Sequence, residues 1–476
     1  MDWLCLRQRY VSPAGLPARA GRLLALGRVL AGTQYDVLPN PFARERSASG
    51  EYIPLAQRRP SVRTNLCRTV VDEAASLLFG DTHWPAVVAR DMATSAALSV
   101  LTQELGLPAL MTEAAVRGSV GSVAILFEVS EARPRLSILD TAYLTPRWDE
   151  RDGELREVVE RYVVSGRDLA AQGYAIADDL LGAQFWWRRV WTRNDCAVFA
   201  PLPVGGEGIG ARDDERSVRH GLGFVPIVWI RNLASAHGDD PDGECTFERA
   251  IDTVIEADYL LSQAGRGLKY GSDPTLVLKT NGFSEGNARQ GGAASALTLP
   301  PEGDAKLLEI NGNAAGAVLA HYRELRQLIL EQLHGNRAHG DRISSAQSGR
   351  AMEMMCQPLI WLVDRLRHSY GAGGLLPLYR MACAFSAGLE NGLCLNGEMV
   401  RGLDPAGLAL HWPPWFPVSE PELLSLAQGL VTAWRGGIVS RETAVRLYAN
   451  ATGNIDPAAE WSRIAAMPID DVELEK

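Results

Sequence analysis

The sequence predicts an α+β fold in which helical segments flank a long β-rich region. Three patterns support this prediction. Apolar residues recur at helical spacing before residue 118, short β-branched and aromatic runs fill 119–230, and the helical period returns near Thr246. The chain has 476 residues, of which 46% are hydrophobic, so it is long enough to bury a sizeable core in about two to four structural units.

The N-terminal part is predicted to be mainly helical. Residues 1–60 are rich in arginine and interrupted by proline and glycine, so we expect one amphipathic helix near 17–31 and then an irregular arm. The next helix covers 61–80, where apolar residues share one helical face and a glycine supplies the stop. Residues 94–118 are predicted as a single further helix.

The β-rich region contains short runs of β-branched and aromatic residues separated by turn residues. The predicted strands are VAILFEV (123–129), LSILD (136–140), VVERYVV (158–164), FWWRRVWT (185–192) and FVPIVWI (224–230). Arg151, Asp152 and Gly153 lie between two of these runs and are typical of a hairpin turn. The glycine-rich, charged stretch 201–223 predicts a loop.

A second helical region follows. One helix is predicted to begin near Thr246 and to run to about Tyr270. It leads into a compact segment, 271–312, in which we expect the strands TLVLKT (275–280) and KLLEI (306–310) around a stretch rich in Gly, Ala and Ser. The pattern indicates a small insert between two helices.

The second of these helices covers 314–334. A polar loop with glycines follows, and it leads to a long helix that begins at Ser348 and continues past Arg367. Pro358 lies inside that helix, so we expect a kink there, because proline removes a backbone hydrogen bond and clashes with the preceding turn.

The C-terminal part is predicted to be a separate helical unit. A proline-rich linker, 411–424, enters a helix whose start carries Ser419 and Glu422 at the spacing of a capping box. Ser440 is expected to begin another helix, 441–450.

Composition excludes several classes of protein. The net charge is −10 and no dense Lys/Arg block is present, which disfavours tight binding to nucleic acid but leaves loose contact open. No run reaches 18 apolar residues, and Arg28 interrupts the best N-terminal stretch, so we expect neither a membrane span nor a signal peptide. Seven scattered cysteines without a CxxC predict free thiols in a reducing compartment and no structural zinc.

One motif suggests catalysis. The sequence Gly282-Phe283-Ser284-Glu285-Gly286 matches the G-x-S-x-G nucleophile elbow, which requires a strand, a sharp turn and a helix. The segment after Ser284 lacks helical periodicity, so a loop is the favoured interpretation and a hydrolase built on Ser284 is kept only as an alternative. No phosphate-binding P-loop is present, and we expect no enzymatic activity, cofactor or metal.

Four segments carry a resemblance to a known family through their order along the chain. They are TNLCRTVVDEAASLLFG (64–80), FERAIDTVIEADYLLSQAGRGLKYGSDPTLVLKTNG (247–282), SGRAMEMMCQPLIWLVDRLRHSYGAGGLLPLYRM (348–381) and LLSLAQGLVTAWRGGIVSRETAVRLY (423–448). This series resembles bacteriophage portal proteins, the head-to-tail connector family. The chain departs from the family pattern at 364–367, where Asp-Arg-Leu-Arg replaces a lysine-rich stretch.

The resemblance implies a portal fold. It divides the chain into an N-terminal arm (1–60), a wing that is first helical and then β-rich (61–246), stem helix 1 (247–270), a small α/β clip (271–312), stem helix 2 (313–334), a tunnel loop (335–347), a second part of the wing with the long kinked helix (348–418) and a short helical crown (419–476). In the family such subunits assemble as a dodecamer around a central channel.

The resemblance also implies functional residues. Those expected to face DNA from the tunnel loop are Arg337, His339, Asp341 and Arg342. Those expected to dock the packaging motor from the clip are Lys279, Phe283, Arg289 and Lys306.

A portal subunit would be a structural protein of the virion, located at one capsid vertex and assembled in the host cytoplasm. The implied partners are further copies of the chain, the terminase large subunit, head-completion and tail adaptor proteins, the major capsid and scaffolding proteins, and double-stranded DNA bound without sequence preference. A second hypothesis is another head–tail adaptor or minor capsid protein, which would oligomerise without the stem–clip–stem insertion.

Overall fold

In the computed structural model, helices and strands combine into a mixed α+β fold, as the sequence patterns predict. The structure describes residues 2–10, 15–206, 208–235, 240–271, 276–279, 296–299, 312–335, 349–416, 420–452 and 457–466. The helices are α1 Trp3–Arg7, α2 Ala18–Leu30, α3 Leu66–Phe79, α4 Met92–Glu104, α5 Leu107–Gly118, α6 Gly166–Ala171, α7 Ile251–Gly271, α8 Gly312–Gln332, α9 Gly349–Leu366, α10 Leu376–Gly388, α11 Glu420–Arg435, α12 Arg441–Thr452 and α13 Pro457–Ala466. The strands are β1 Asn40–Pro41, β2 Arg58–Arg59, β3 Ala86–Val88, β4 Ser122–Ser130, β5 Arg133–Leu139, β6 Leu144–Trp148, β7 Leu155–Ser165, β8 Gln184–Thr192, β9 Asp195–Pro203, β10 Arg212–Arg219, β11 Ile227–Arg231, β12 Leu276–Lys279, β13 Ala296–Leu299, β14 Leu393–Leu395, β15 Glu398–Val400 and β16 Ala409–His411.

The central sheet has the order β11–β4–β5 and is antiparallel throughout. Strand β4 is buried on both faces, which explains its nearly continuous apolar sequence. Ile125 and Phe127 belong to the main core with helices α3, α4, α5, α9 and α10, whereas Ala124 and Leu126 belong to a smaller core with residues of β7 and β8. Each fully buried Ile or Phe of this kind contributes about 1.5–3 kcal/mol to folding.

A second, five-stranded antiparallel sheet follows the chain order β6 to β10. The predicted hairpin turn is confirmed between β6 and β7, where Gly153 has a φ of 70°. The predicted loop over 201–223 is wrong for residues 201–203, which end β9, and for residues 212–219, which form β10 along the edge of β9. Its sequence, RDDERSVR, has no apolar alternation, because an exposed edge strand needs backbone partners but no buried face.

The single helix predicted over 94–118 is wrong, because the chain breaks into α4 and α5. Gly106 adopts a left-handed conformation with a φ of 57°, which ends α4. Pro108 then lies in the first turn of α5, where its missing N–H has no helical partner to lose.

The long helix of the second half begins at Gly349, next to the predicted start at Ser348. Pro358 lies inside α9, and a kink at this residue stays a prediction. The regular α-helix changes to π-helical turns over Arg367–Leu375 before α10. Strand β16 then returns to pair with β3, which joins the end of this region to the first helical part of the chain.

Two smaller elements complete the description. Strand β12, predicted within 275–280, pairs in parallel with β13. Strand β13 begins at the last residue of the Gly/Ala/Ser-rich stretch, and the predicted strand 306–310 lies outside the described residues. The predicted helix at Ser440 is confirmed as α12, since the Ser440 hydroxyl accepts a hydrogen bond from the backbone N–H of Thr443 at 3.1 Å. Helix α13 was not predicted.

Candidate functional site: a projecting helical hairpin

Helices α7 and α8 form an antiparallel hairpin. Each has 21 residues, which corresponds to a length of about 31 Å at 1.5 Å per residue. The first turns of α7 and the last turns of α8 lie in one buried cluster, whose members include Ile251, Val254, Ile329 and Leu330. The hairpin therefore has a buried root, and its other end leads towards β12 and β13.

The apolar surface of the hairpin changes along its length. At the root, Ile255 and Ile329 are completely buried. Further out, Leu268 is 51% exposed and Leu319 is 45% exposed, and at the root Leu328, beside Ile329, is 43% exposed. Isolated exposed leucines are common, but three on one helix pair leave an apolar surface that the described part of the chain does not cover.

Asp258 is the centre of the root. Its carboxylate accepts hydrogen bonds from the backbone N–H of Thr64 at 2.9 Å, from the Thr64 hydroxyl at 2.8 Å and from the Tyr35 hydroxyl at 2.9 Å. Burial raises the pKa of Asp258 above its ordinary value, and the three donors oppose that shift. The acid is thus satisfied by donors from two separate stretches of the N-terminal region.

The N-terminal residues hold the same helix at several other points. The Tyr259 hydroxyl donates to the backbone carbonyl of Arg58 at 2.8 Å, and the Ser262 hydroxyl accepts from the backbone N–H of Val62 at 3.0 Å. Glu45 forms an ion pair with Arg266 further along the helix. The segment expected to be an irregular arm is therefore, in large part, the support of the hairpin.

A second buried network joins this support to the β-rich region. Arg19 on α2 forms a bidentate ion pair with Asp242, with Nε–Oδ2 at 2.6 Å and Nη2–Oδ1 at 2.7 Å. The Nη1 atom of Arg19 donates hydrogen bonds to the backbone carbonyls of Thr141 and Leu144. Asp242 also accepts from the Ser122 hydroxyl at 2.5 Å, so its buried carboxylate has several donors and fixes α2 on the start of β4.

Aromatic residues hold the π-helical turns. The Arg367 guanidinium lies 3.3 Å from the ring centroid of Trp415 and 4.6 Å from that of Trp412. Burial lowers the pKa of Arg367 to about 10. Tyr370, in the same turns, donates to the side-chain oxygen of Asn232 at 3.1 Å. These contacts therefore hold the π-helical turns against Trp412 and Trp415, which precede the C-terminal helices.

Most of the predicted site residues lie outside the part of the chain that the structure describes. Residues Arg337, His339, Asp341 and Arg342 of the predicted tunnel loop lie outside the described residues, as do Phe283, Arg289 and Lys306 of the predicted clip. Ser284 of the G-x-S-x-G motif also lies outside them. Lys279 is the last residue of β12, and its backbone is in register with Leu299.

Asp258 is the functional candidate that sequence reasoning missed, although a signal was present. It lies four residues after Val254 and three after Ile255, which places a carboxylate on the apolar stripe of its helix. A charge on such a stripe indicates either a buried hydrogen-bond network or a pocket. The donors from Thr64 and Tyr35 are nearly 200 residues or more away in sequence and could not be identified from it.

The described residues offer little for catalysis. They contain no group of three or more His, Cys, Asp or Glu side chains placed to hold a metal ion. All seven cysteines are free, as predicted, and burial raises the pKa of Cys67 to about 12, so this thiol stays protonated and unreactive. Within the same residues, no helix combines the length and apolar character needed to cross a membrane.

Comparison with known proteins does not assign the chain to a family. No protein-family model matches the chain, and no curated protein matches it. The sequence patterns and the geometry of the hairpin are therefore the observations that bear on function.

Proposed function

We propose that the chain is a subunit of a bacteriophage portal ring, located at one vertex of the capsid and used as the conduit for DNA packaging and ejection. The observation that carries this proposal is the hairpin of α7 and α8. Two helices of equal length leave an α+β body, are separated by an inserted strand pair, and return to a long third helix. This order is the one expected for a stem, a clip, a stem and a wing helix.

In this proposal each region has one role. Helices α7 and α8 are the stem, β12 and β13 belong to the clip, residues 335–347 are the tunnel loop, α9 and α10 belong to the wing, and α11 to α13 form the crown. The clip docks the terminase large subunit during packaging, and then the head-completion and tail adaptor proteins. The wing is the region that meets the major capsid and scaffolding proteins.

Exposed apolar residues on the stem support assembly into a ring. In a closed ring, every subunit makes the same contacts with its two neighbours. The stem of a neighbouring copy would therefore cover Leu268, Leu319 and Leu328. The number twelve for the ring comes from the family resemblance alone.

The charge of the chain supports a conduit rather than a clamp. A net charge of −10 per subunit repels the phosphates of double-stranded DNA, so the DNA would move through the ring without being held. The tunnel-loop residues Arg337, His339 and Arg342 would contact phosphates only transiently.

The test is negative-stain electron microscopy of the purified full chain, with mass photometry alongside. We expect rings with a central hole and a mass near twelve subunits. The variant Leu319→Glu should lose the rings, because it places a charge in the subunit contact, while its circular dichroism stays that of the wild type. The matched control is Leu180→Glu, since Leu180 is 39% exposed on the wing and should leave the rings intact.

Two results would count against the proposal. Rings formed equally well by Leu319→Glu would show that the stem surface is not the contact. Monomers or dimers of the wild type at every concentration, with and without scaffolding protein, would favour the head–tail adaptor hypothesis instead.

A further inference from the structure

One face of the five-stranded sheet carries a pocket that the proposed function does not use. The pocket has a volume of about 360 Å³ and is bounded by strands β6 to β9 and by the glycine-rich turn that follows β9. Three arginine residues line it, Arg147 on β6, Arg161 on β7 and Arg188 on β8. No carboxylate is found among the described residues that line it.

The arginines on this face are paired differently from those on the other face. Glu160 is in register with Arg189, and the two form an ion pair at 3.0 Å. One position further along, Arg161 is in register with Arg188, so two positive charges are directly opposite each other. Like charges in this position repel and oppose strand pairing. Strand pairing alone does not account for this arrangement.

The local charge stays positive when the nearest acid is included. Glu157 lies 3.4 Å from Arg147, and its charge also acts on Arg188. Arg161 and Arg188 themselves form no ion pair with any residue in the described part of the chain. Among the described residues, three positive charges and one negative charge leave a net charge of about +2 around the pocket.

Two of the three arginine side chains, Arg161 and Arg188, are held by their surroundings. The Arg188 Nε atom is buried and has no hydrogen-bond partner. Desolvation lowers the pKa of Arg188, and the charges of Arg161 and Arg147 act in the same direction. The Arg161 guanidinium lies 4.0 Å from the ring centroid of Trp186, and that of Arg188 lies 5.0 Å from Phe199. The aromatic rings therefore hold two positive groups in place before any ligand arrives.

We propose that this pocket binds a phosphate group through Arg147, Arg161 and Arg188. Guanidinium forks match the oxygens of phosphate, and three of them can engage a tetrahedral anion from different sides. A net charge of about +2 suits a phosphate with two negative charges. The glycines of the turn at 205–210 that line the pocket add no side chain in front of it. The phosphate can belong to a free phosphate or phosphomonoester, or to the DNA backbone.

The test compares these two sources in the full-length chain. Inorganic phosphate is titrated by calorimetry in chloride buffer at constant ionic strength, and a labelled DNA duplex is titrated by fluorescence anisotropy. We expect saturable binding of phosphate that weakens at least tenfold in Arg161→Gln and in Arg188→Gln. Arg151→Gln is the control, because Arg151 is exposed in the hairpin turn of the same sheet and lies outside the pocket.

Each outcome has a definite meaning. Phosphate binding without duplex binding assigns a free phosphate or phosphomonoester, and duplex binding that inorganic phosphate displaces assigns the DNA backbone. Failure of both probes, or equal binding by the wild type and the two pocket variants, overturns the proposal.

One further variant and one further measurement separate loss of binding from unfolding. The melting temperature and circular dichroism of Arg161→Gln and Arg188→Gln in chloride are measured alongside, so that loss of binding by a folded variant is distinguished from unfolding. Glu207 follows Gly206 in the sequence and lies outside the described residues. Glu207→Gln should bind phosphate at least as tightly as the wild type. Binding that appears only in Glu207→Gln would overturn the proposal, because the chain's own carboxylate would then be the occupant.

Discussion

Replacing Asp258 with alanine should loosen the root of the hairpin. The carboxylate accepts three hydrogen bonds of 2.8 to 2.9 Å, two from Thr64 and one from Tyr35. Alanine leaves the Thr64 N–H and the Tyr35 hydroxyl without an acceptor in a buried site, and each unsatisfied group costs about 1–3 kcal/mol. Relief of the buried charge offsets part of that cost. We expect Asp258→Ala to lower the free energy of unfolding by about 2–5 kcal/mol.

The measurement is urea denaturation followed by tryptophan fluorescence, with hydrogen exchange of the α7 amides to locate the effect. Tyr35→Phe removes one of the three donors and should lower the free energy of unfolding by about 1.5–3 kcal/mol. The control is Glu256→Ala, because Glu256 is exposed on the same helix and should change stability by less than about 0.5 kcal/mol. If Asp258→Ala matched that control, the hydrogen bonds of the carboxylate would not anchor the hairpin.

The same site predicts a pH dependence. Burial raises the pKa of Asp258 in the folded chain above its unfolded value, so the folded state favours the protonated acid. The stability that this group contributes is complete below the ordinary carboxyl pKa and is lost as pH rises through the raised pKa. Asp258→Asn cannot titrate there. The stability of the wild type relative to Asp258→Asn should therefore fall over that window, and a constant difference would contradict the assignment.

Three further predictions concern contacts that hold the helices in place. Gly118→Ala places a Cβ atom 2.2 Å from the Tyr370 hydroxyl oxygen, so thermal unfolding should show a loss of about 1–3 kcal/mol; an unchanged melting temperature would mean that the helix can shift freely. Trp415→Leu removes the ring 3.3 Å from the Arg367 guanidinium and should cost about 0.5–2 kcal/mol in urea denaturation, whereas Trp415→Phe should retain part of that contact. Ser440→Ala removes the cap of α12 and should cost about 0.5–2 kcal/mol, seen as faster amide exchange in the C-terminal helices, with Ser440→Asp as the restoring variant.

Local periodicity predicted most of the helices and the central strand. The apolar stripe of α7 and the buried run of β4 are visible in the sequence, because a helix repeats every 3.6 residues and a strand covered on both faces is apolar throughout. Local patterns were less able to predict interruptions. Gly106 separates α4 from α5, although the apolar residues on both sides continue a single helical pattern.

Elements that depend on distant partners were not predictable in the same way. The charged strand β10 exists because β9 offers its backbone edge, and nothing in RDDERSVR itself indicates a strand. The role of residues 1–60 also depends on distant partners, since Tyr35 and Arg58 form hydrogen bonds with α7, about 200 residues later.

The sequence by itself determined the α+β class, the order of the main helices and strands, and the two helices around an insert on which the proposed portal function rests. Only the tertiary structure decided that Asp258 is a satisfied buried acid and that Arg161 and Arg188 are opposite each other. The physical reason is that hydrophobic periodicity is encoded over a few neighbouring residues. Strand register and buried polar pairing instead join residues that are far apart in the chain, and they are specified only when the core closes.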